Sequence, residues 1–126
     1  MRATHRERGD YSFEGAQQAV RRLYAQGDPP DAIFAANDHM AIAAMDVLRL
    51  ELGLRIPQDV GVIGFDDVPQ AAWGGYRLTT VRQCVEPMVD ATVALLREQM
   101  RGELRARDIV VPCMMIHRHT LRAPEQ

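Results

Sequence analysis

The segment Val60-Gly61-Val62-Ile63-Gly64-Phe65-Asp66-Asp67 decides the fold. Apolar and small residues run from Val60 to Phe65 without alternation and stop abruptly at two carboxylates. A strand with one wet face alternates apolar and polar positions, whereas a continuous run of this kind is a strand covered on both faces, as in parallel sheets. Upstream, Asp31-Ala32-Ile33-Phe34-Ala35-Ala36 repeats the pattern and also ends in polar residues, Asn37 and Asp38. Between the two runs, Met40, Ala41, Ala44, Met45 and Leu48 recur at helical spacing over His39 to Leu52, with Asn37 or Asp38 as cap and Gly53 as stop. Strand, helix and strand at this spacing make a right-handed parallel crossover.

Working outward, Ser12 caps a helix reaching Gln26, with Glu14 in its first turn and Ala16, Ala19, Val20, Leu23 and Tyr24 as its apolar stripe. Gly27-Asp28-Pro29-Pro30 ends it. Downstream of Asp67, a loop over Val68 to Arg77 holds Trp73 and Tyr76, and Leu78-Thr79-Thr80-Val81 is a short strand. Glu86 to Arg101 is a third helix with Met88, Ala91, Leu95 and Leu96 on one side and Pro87 in its first turn. Ile109 to Ile116 is a last strand, and Pro112 inside it marks an edge or a bend. The alternation gives an α/β fold with a largely parallel sheet.

Composition narrows the function classes. The 126 residues are 47% hydrophobic and 25% charged with a net charge of −2, which is globular and carries no footprint for nucleic acid or an anionic membrane. No run is long and apolar enough to cross a bilayer, and the basic opening Met1 to Arg8 has no apolar core behind it, so it does not read as a signal peptide. Arg2, Arg6 and Arg8 read as a solvated segment. Cys84 and Cys113 form neither a disulfide framework nor a metal-spaced pair and suit a reducing cytoplasm.

In parallel sheets, ligands bind outside the carboxyl ends of the strands. Those ends carry Asn37 and Asp38, then Asp66 and Asp67, and Gly9-Asp10-Tyr11 stands before the first helix. Carboxylates and amides accept and donate paired hydrogen bonds to vicinal hydroxyls, and a ring covers an apolar sugar or base face. The set therefore suits a neutral, hydroxyl-rich small molecule. From spacing alone, helix capping by Asn37 and a turn role for Asp66 serve equally well. An acidic phospho-acceptor site with Mg²⁺ would want a conjugate lysine, and all fifteen Lys and Arg positions here are arginine. His117 and His119 share a strand face but lack a third ligand, and no serine sits in a Gly-x-Ser-x-Gly elbow. No catalytic residue, metal or cofactor is assigned.

Three blocks then carry a family resemblance. Pro30-Asp31-Ala32-Ile33-Phe34-Ala35-Ala36-Asn37-Asp38-His39-Met40-Ala41, Arg55-Ile56-Pro57-Gln58-Asp59-Val60-Gly61-Val62-Ile63-Gly64-Phe65-Asp66-Asp67 and Leu78-Thr79-Thr80-Val81-Arg82-Gln83 resemble, in order and spacing, segments of the LacI/GalR transcription regulators. Gly9-Asp10-Tyr11-Ser12 matches their lead-in to the preceding helix. The resemblance implies a type I periplasmic-binding-protein-like fold of two lobes, of which this chain holds the second and little of the first. Residues 1–83 would be second lobe, 84–112 a segment of the mostly absent first lobe, and 113–126 a strand returning to the second lobe, with the tail.

By the same resemblance, Asn37 and Asp66 match positions that hydrogen-bond effector hydroxyls, Tyr11 an aromatic that packs on the effector, and Gln83 a crossover beside the cleft. Ile42, Met45 and Trp73 match positions where second lobes pair in a homodimer. Operator DNA would be read only by a helix-turn-helix headpiece that this chain lacks. The implied protein is a cytoplasmic regulator, not an enzyme, that senses a sugar-like or nucleoside-like ligand without a cofactor. A periplasmic sugar-binding protein of the same fold and a truncated remnant are the competing readings. Cys84 stands where the family usually has proline, Pro87 where an acidic residue is commoner, and Gly74-Gly75-Tyr76-Arg77 lacks the usual prolines.

Overall fold

Ser12 opens the first helix, α1 (Phe13–Ala25), as its hydroxyl accepts the Gly15 N–H at 3.0 Å. The computed structural model describes residues 5–103 and 107–122. Residues 1–4, 104–106 and 123–126, with the expectations made for Arg2, for the start and for the tail, lie outside the described residues. Gly27 follows α1 at φ 80°, a left-handed conformation that only glycine adopts without strain, so the helix stops there as read.

The strands are β1 (Ala32–Phe34), β2 (Gly61–Phe65), β3 (Thr79–Gln83) and β4 (Cys113–Ile116), in that order across one sheet. β1, β2 and β3 are parallel neighbours, and β4 runs antiparallel on β3. The fold is thus α/β with a mostly parallel sheet, as the alternation of helix and strand implies. β4 is shorter than the expected run from Ile109: proline has no N–H for a ladder, and pairing begins just after Pro112, at the sheet edge.

Between β1 and β2 lies α2 (Asp38–Asp46), which continues into a wider π-type turn over Val47–Glu51. It buries Ala41, Ile42, Ala44, Met45, Val47 and Leu48 against Val20 of α1 and Val60, Val62, Ala71 and Leu78 on the sheet side. Small residues on α2 let α1 and the sheet approach it closely, so its buried arc is wider than one stripe. This placement corrects two expectations. Ile42 is 6% exposed and Met45 fully buried, so neither side chain has surface left for a partner chain to cover.

β1 corrects a third. Its residues were read as covered on both faces, yet Ala32 and Phe34, which share one face, are exposed because nothing among the described residues covers that face, and β1 is the other edge of the described sheet. A mainly apolar groove of about 590 Å³ runs beside it, lined by residues including Ala16, Val20, Leu23, Ile33, Phe34 and Met40.

The last helix, α3 (Val85–Met100), starts directly after β3 and buries none of its residues. Its apolar side, including Met88 and Leu96, lies exposed among the described residues. After β4 the chain returns to the core: the buried Thr120 hydroxyl donates to Val62 O at 2.6 Å and accepts Thr79 N–H at 2.8 Å, stitching the starts of β2 and β3.

Candidate functional site

The tips of the parallel strands lie side by side, because the register pairs Phe34 of β1 with Ile63 of β2, and Phe65 of β2 with Val81 of β3. Asn37, Asp66 and Gln83 follow at or just beyond those tips. β2 ends in an unusual backbone: Asp66 has φ 117° and Asp67 φ 59°, the left-handed region, which aspartate tolerates better than most side chains. The Asp66 N–H stays tied to the sheet through Val81 O at 2.8 Å.

What fixes this turn is Asp38, the first residue of α2. Its carboxylate is fully buried and accepts the Val68 N–H at 2.9 Å and the Thr80 hydroxyl at 2.5 Å. It thereby joins the start of α2, the loop after β2 and the middle of β3. Gly64 is required beneath it, since a Cβ there would overlap the Asp38 carboxylate. Burial pushes the Asp38 carboxyl above its ordinary value, with help from the neighbouring Asp66 charge, against the lowering effect of its hydrogen bonds from Thr80, Val68 and Asp67.

The two carboxylates at the end of β2 are then distinguished by their surroundings. Asp67 turns inward and is gripped by two guanidiniums, Arg82 Nε at 2.7 Å and Arg118 Nη2 at 2.7 Å. Burial alone would raise its carboxyl, but the hydrogen bonds and charges of Arg118 and Arg82 outweigh that and hold it below the ordinary value. Asp66 is exposed, and its Oδ1 accepts the Gln83 side-chain N–H at 2.7 Å. Asp67 is consumed by structure; Asp66 faces out.

Asp66 and Gln83 share an open hollow of about 490 Å³ whose other wall is the start of α3, including Val85, Met88, Val89 and Thr92. Asn37 is half-buried at the adjacent tip, where its Oδ1 accepts the Met40 N–H at 2.8 Å and caps α2. Its side-chain NH₂ makes no hydrogen bond among the described residues and keeps its donors. Tyr11, at φ 54°, is 76% exposed in the loop before α1 and does not line the hollow. That loop sits over the start of α2, where Gly9 packs on the flexible end of Met40 and on the Ala16 backbone.

Trp73 is 57% exposed in a loop held to the end of α2 by Arg49 Nη1 on Gly75 O at 2.6 Å. His117 and His119 are exposed beyond β4, and no group of three or more possible metal ligands occurs among the described residues. Sequence reasoning weighed Asp38 as a cap or as one of the strand-end ligand groups and missed its buried role, and it did not pick out Arg118. The acceptor role of Asp38 depends on Val68 and Thr80, thirty and forty-two positions away, a conjunction that no local pattern carries.

Comparison with known proteins places these features in a group. The family described as periplasmic binding protein-like domain matches residues 1–121. The probable HTH-type transcriptional repressor ExuR of Bacillus subtilis is 46% identical over 79 residues, covering 63% of this chain and 23% of ExuR. The HTH-type transcriptional repressor CytR of Escherichia coli is 32% identical over 117 residues, covering 92% of this chain and 34% of CytR. Among solved structures, the lac repressor dimer bound to operator and the anti-inducer ONPF has a TM-score of 0.80 at 30% identity, with 91% of this chain and 40% of that one covered. The complex of the transcriptional regulator CelR with cellobiose has a TM-score of 0.77 at 34% identity, covering 89% and 34%. The chain spans between 23% and 34% of the length of these curated relatives.

Proposed function

Because the chain belongs to the periplasmic binding protein-like family, in the form carried by LacI/GalR regulators, we propose that it is the effector-sensing and dimerising part of such a transcriptional repressor. The effector is a small hydroxylated molecule of the sugar or nucleoside class. Asp66 accepts its hydroxyl protons, Gln83 orients Asp66 and donates to the ligand, Asn37 donates through its amide, and Tyr11, in the loop outside the hollow, closes over a ring face when the ligand is bound. The observation that carries this reading is the Gln83–Asp66 hydrogen bond across the tips of two parallel strands, with Asn37 at the third tip. CelR, whose complex holds cellobiose, supports a carbohydrate as the ligand.

Residues 1–83 form the second lobe, 84–112 belong with the first lobe, and 113–126 return to the second. Two observations support this division: α3 buries nothing against the sheet, and Thr120 is locked into the sheet's starting edge. Trp73 contributes to the dimer face. Operator DNA is bound in the cytoplasm by a headpiece outside this chain. A ligand that prefers one lobe orientation shifts the population of dimers competent to span two half-sites. A coupling of about 1–3 kcal/mol changes operator affinity by about fivefold to a hundredfold.

The test is operator retardation by the intact regulator against a panel of sugars and nucleosides. One ligand class changes retention by wild type, and the Asp66→Ala protein ignores it while still binding operator. Equal response in the variant refutes the site.

A further inference from the structure

We propose that Cys84 and Cys113 form a reversible intramolecular disulfide that closes the neck of the excursion made by residues 85–112. In the β3–β4 ladder Gln83 stands directly opposite Cys113, and Cys84 is the next residue after Gln83. Opposed residues in an antiparallel ladder lie about 4.5–5.5 Å apart at Cα, and one step along a strand adds about 3.4 Å sideways. In a regular ladder such a diagonal is about 6 Å, inside the range of about 4.4–6.8 Å that disulfides span.

In a regular ladder the two side chains would leave by opposite faces. Cys84, however, is already outside the ladder: at φ −84° and ψ 85° it is the turn between β3 and α3. Because α3 buries none of its residues, a rotation of its first turn that brings the thiol round gives up the Met88 N–H to Cys84 O hydrogen bond at 3.3 Å but no buried side chain. Both thiols are free, Cys84 half-buried and Cys113 exposed, so a small oxidant reaches them. The pair brackets α3 at both crossings of the chain and flanks Gln83 of the site.

The oxidant is a low-molecular-weight disulfide such as oxidised glutathione. One cysteine thiolate attacks it, forms a mixed disulfide and releases one glutathione thiolate, which takes up a proton. The second cysteine thiolate displaces the remaining glutathione and leaves the Cys84–Cys113 bond. Two protein thiols are oxidised by two electrons as one glutathione disulfide is reduced to two thiols.

The reduced chain is treated with oxidised glutathione, quenched in acid and read by intact mass and peptide mapping. The expected product is a monomer lighter by two hydrogen atoms that yields a linked Cys84–Cys113 peptide and reverts with reductant. Trypsin cleavage after Arg97 or Arg101 then leaves the two halves joined until reduction. Cys84→Ser and Cys113→Ser chains each retain a glutathione adduct instead. A wild-type chain that ends with two glutathiones attached, with bridges between chains, or with both thiols unchanged overturns the proposal.

Discussion

The side-chain amide of Gln83 donates to Asp66 Oδ1 at 2.7 Å and so connects the last residue of β3 to the residue just after β2. Both groups are polar and accessible, so the bond organises the rim of the hollow more than it stabilises the fold. In Gln83→Leu, Asp66 loses its orienting donor and the ligand loses a partner. Hydrogen bonds to charged groups contribute about 1.5–3 kcal/mol, so effector affinity falls about tenfold or more while urea stability stays near wild type. Calorimetry paired with a urea titration checks both halves.

Asn37 has two functions that substitution can separate. Asn37→Asp keeps the oxygen that caps α2 through the Met40 N–H but removes the amide donor. It retains stability and loses ligand affinity. Asn37→Ala also loses the cap and is destabilised by about 1 kcal/mol. An aspartate variant with wild-type affinity would restrict Asn37 to capping.

Asp38 and Asp67 respond to pH in opposite senses. The folded Asp38 carboxyl is raised, so the native state holds its proton more tightly than the unfolded chain, and this group alone makes stability rise as pH falls from its folded pKa towards about 4. The folded Asp67 carboxyl is lowered, so its contribution is complete above about 4 and is lost as pH falls through its folded value. Asp67→Asn therefore loses stability at neutral pH and shows a shallower decline in acid than wild type. Asp38→Ala leaves the Val68 N–H and the Thr80 hydroxyl without their acceptor and costs about 2–5 kcal/mol at neutral pH. Urea titrations across the acid range measure both, and an unchanged acid slope in Asp67→Asn would contradict its assignment.

Trp73 and Met45 were grouped as dimer contacts by sequence and are separated by burial. Trp73→Ala shifts the intact regulator towards monomer in sedimentation with little loss of lobe stability, since its ring is mostly outside. Met45→Ala opens a cavity in the core and costs about 2–5 kcal/mol, lowering the unfolding midpoint at every protein concentration.

The parallel core was legible because uninterrupted apolar runs such as Val60 to Phe65 leave a strand few other places to go. The cap Ser12, and Asn37 as one of two candidates, were legible because capping is local: the hydroxyl or amide oxygen lies three residues from the N–H it accepts. β1 was misread because an apolar run reports that a strand tolerates burial, not that a neighbour exists to bury it. Ile42 and Met45 were misassigned for a related reason: an apolar helical residue suits a core and an interface equally, and only the packed Val60, Val62 and Leu78 decide between them. Asp66 and Gln83 could be named from the strand ends, but their contact needs β2 and β3 in register. The roles of Asp38 and Arg118 rest on partners distant in sequence, on Val68 and Thr80 for one and on Asp67 for the other.

The most direct measurement is isothermal titration calorimetry of the intact regulator with monosaccharides, disaccharides and nucleosides, comparing wild type with Asp66→Ala. The account predicts that one of these binds wild type with a 1:1 stoichiometry per chain and that the variant, folded and dimeric, binds it at least about tenfold more weakly. Identical affinity in the two proteins would contradict it.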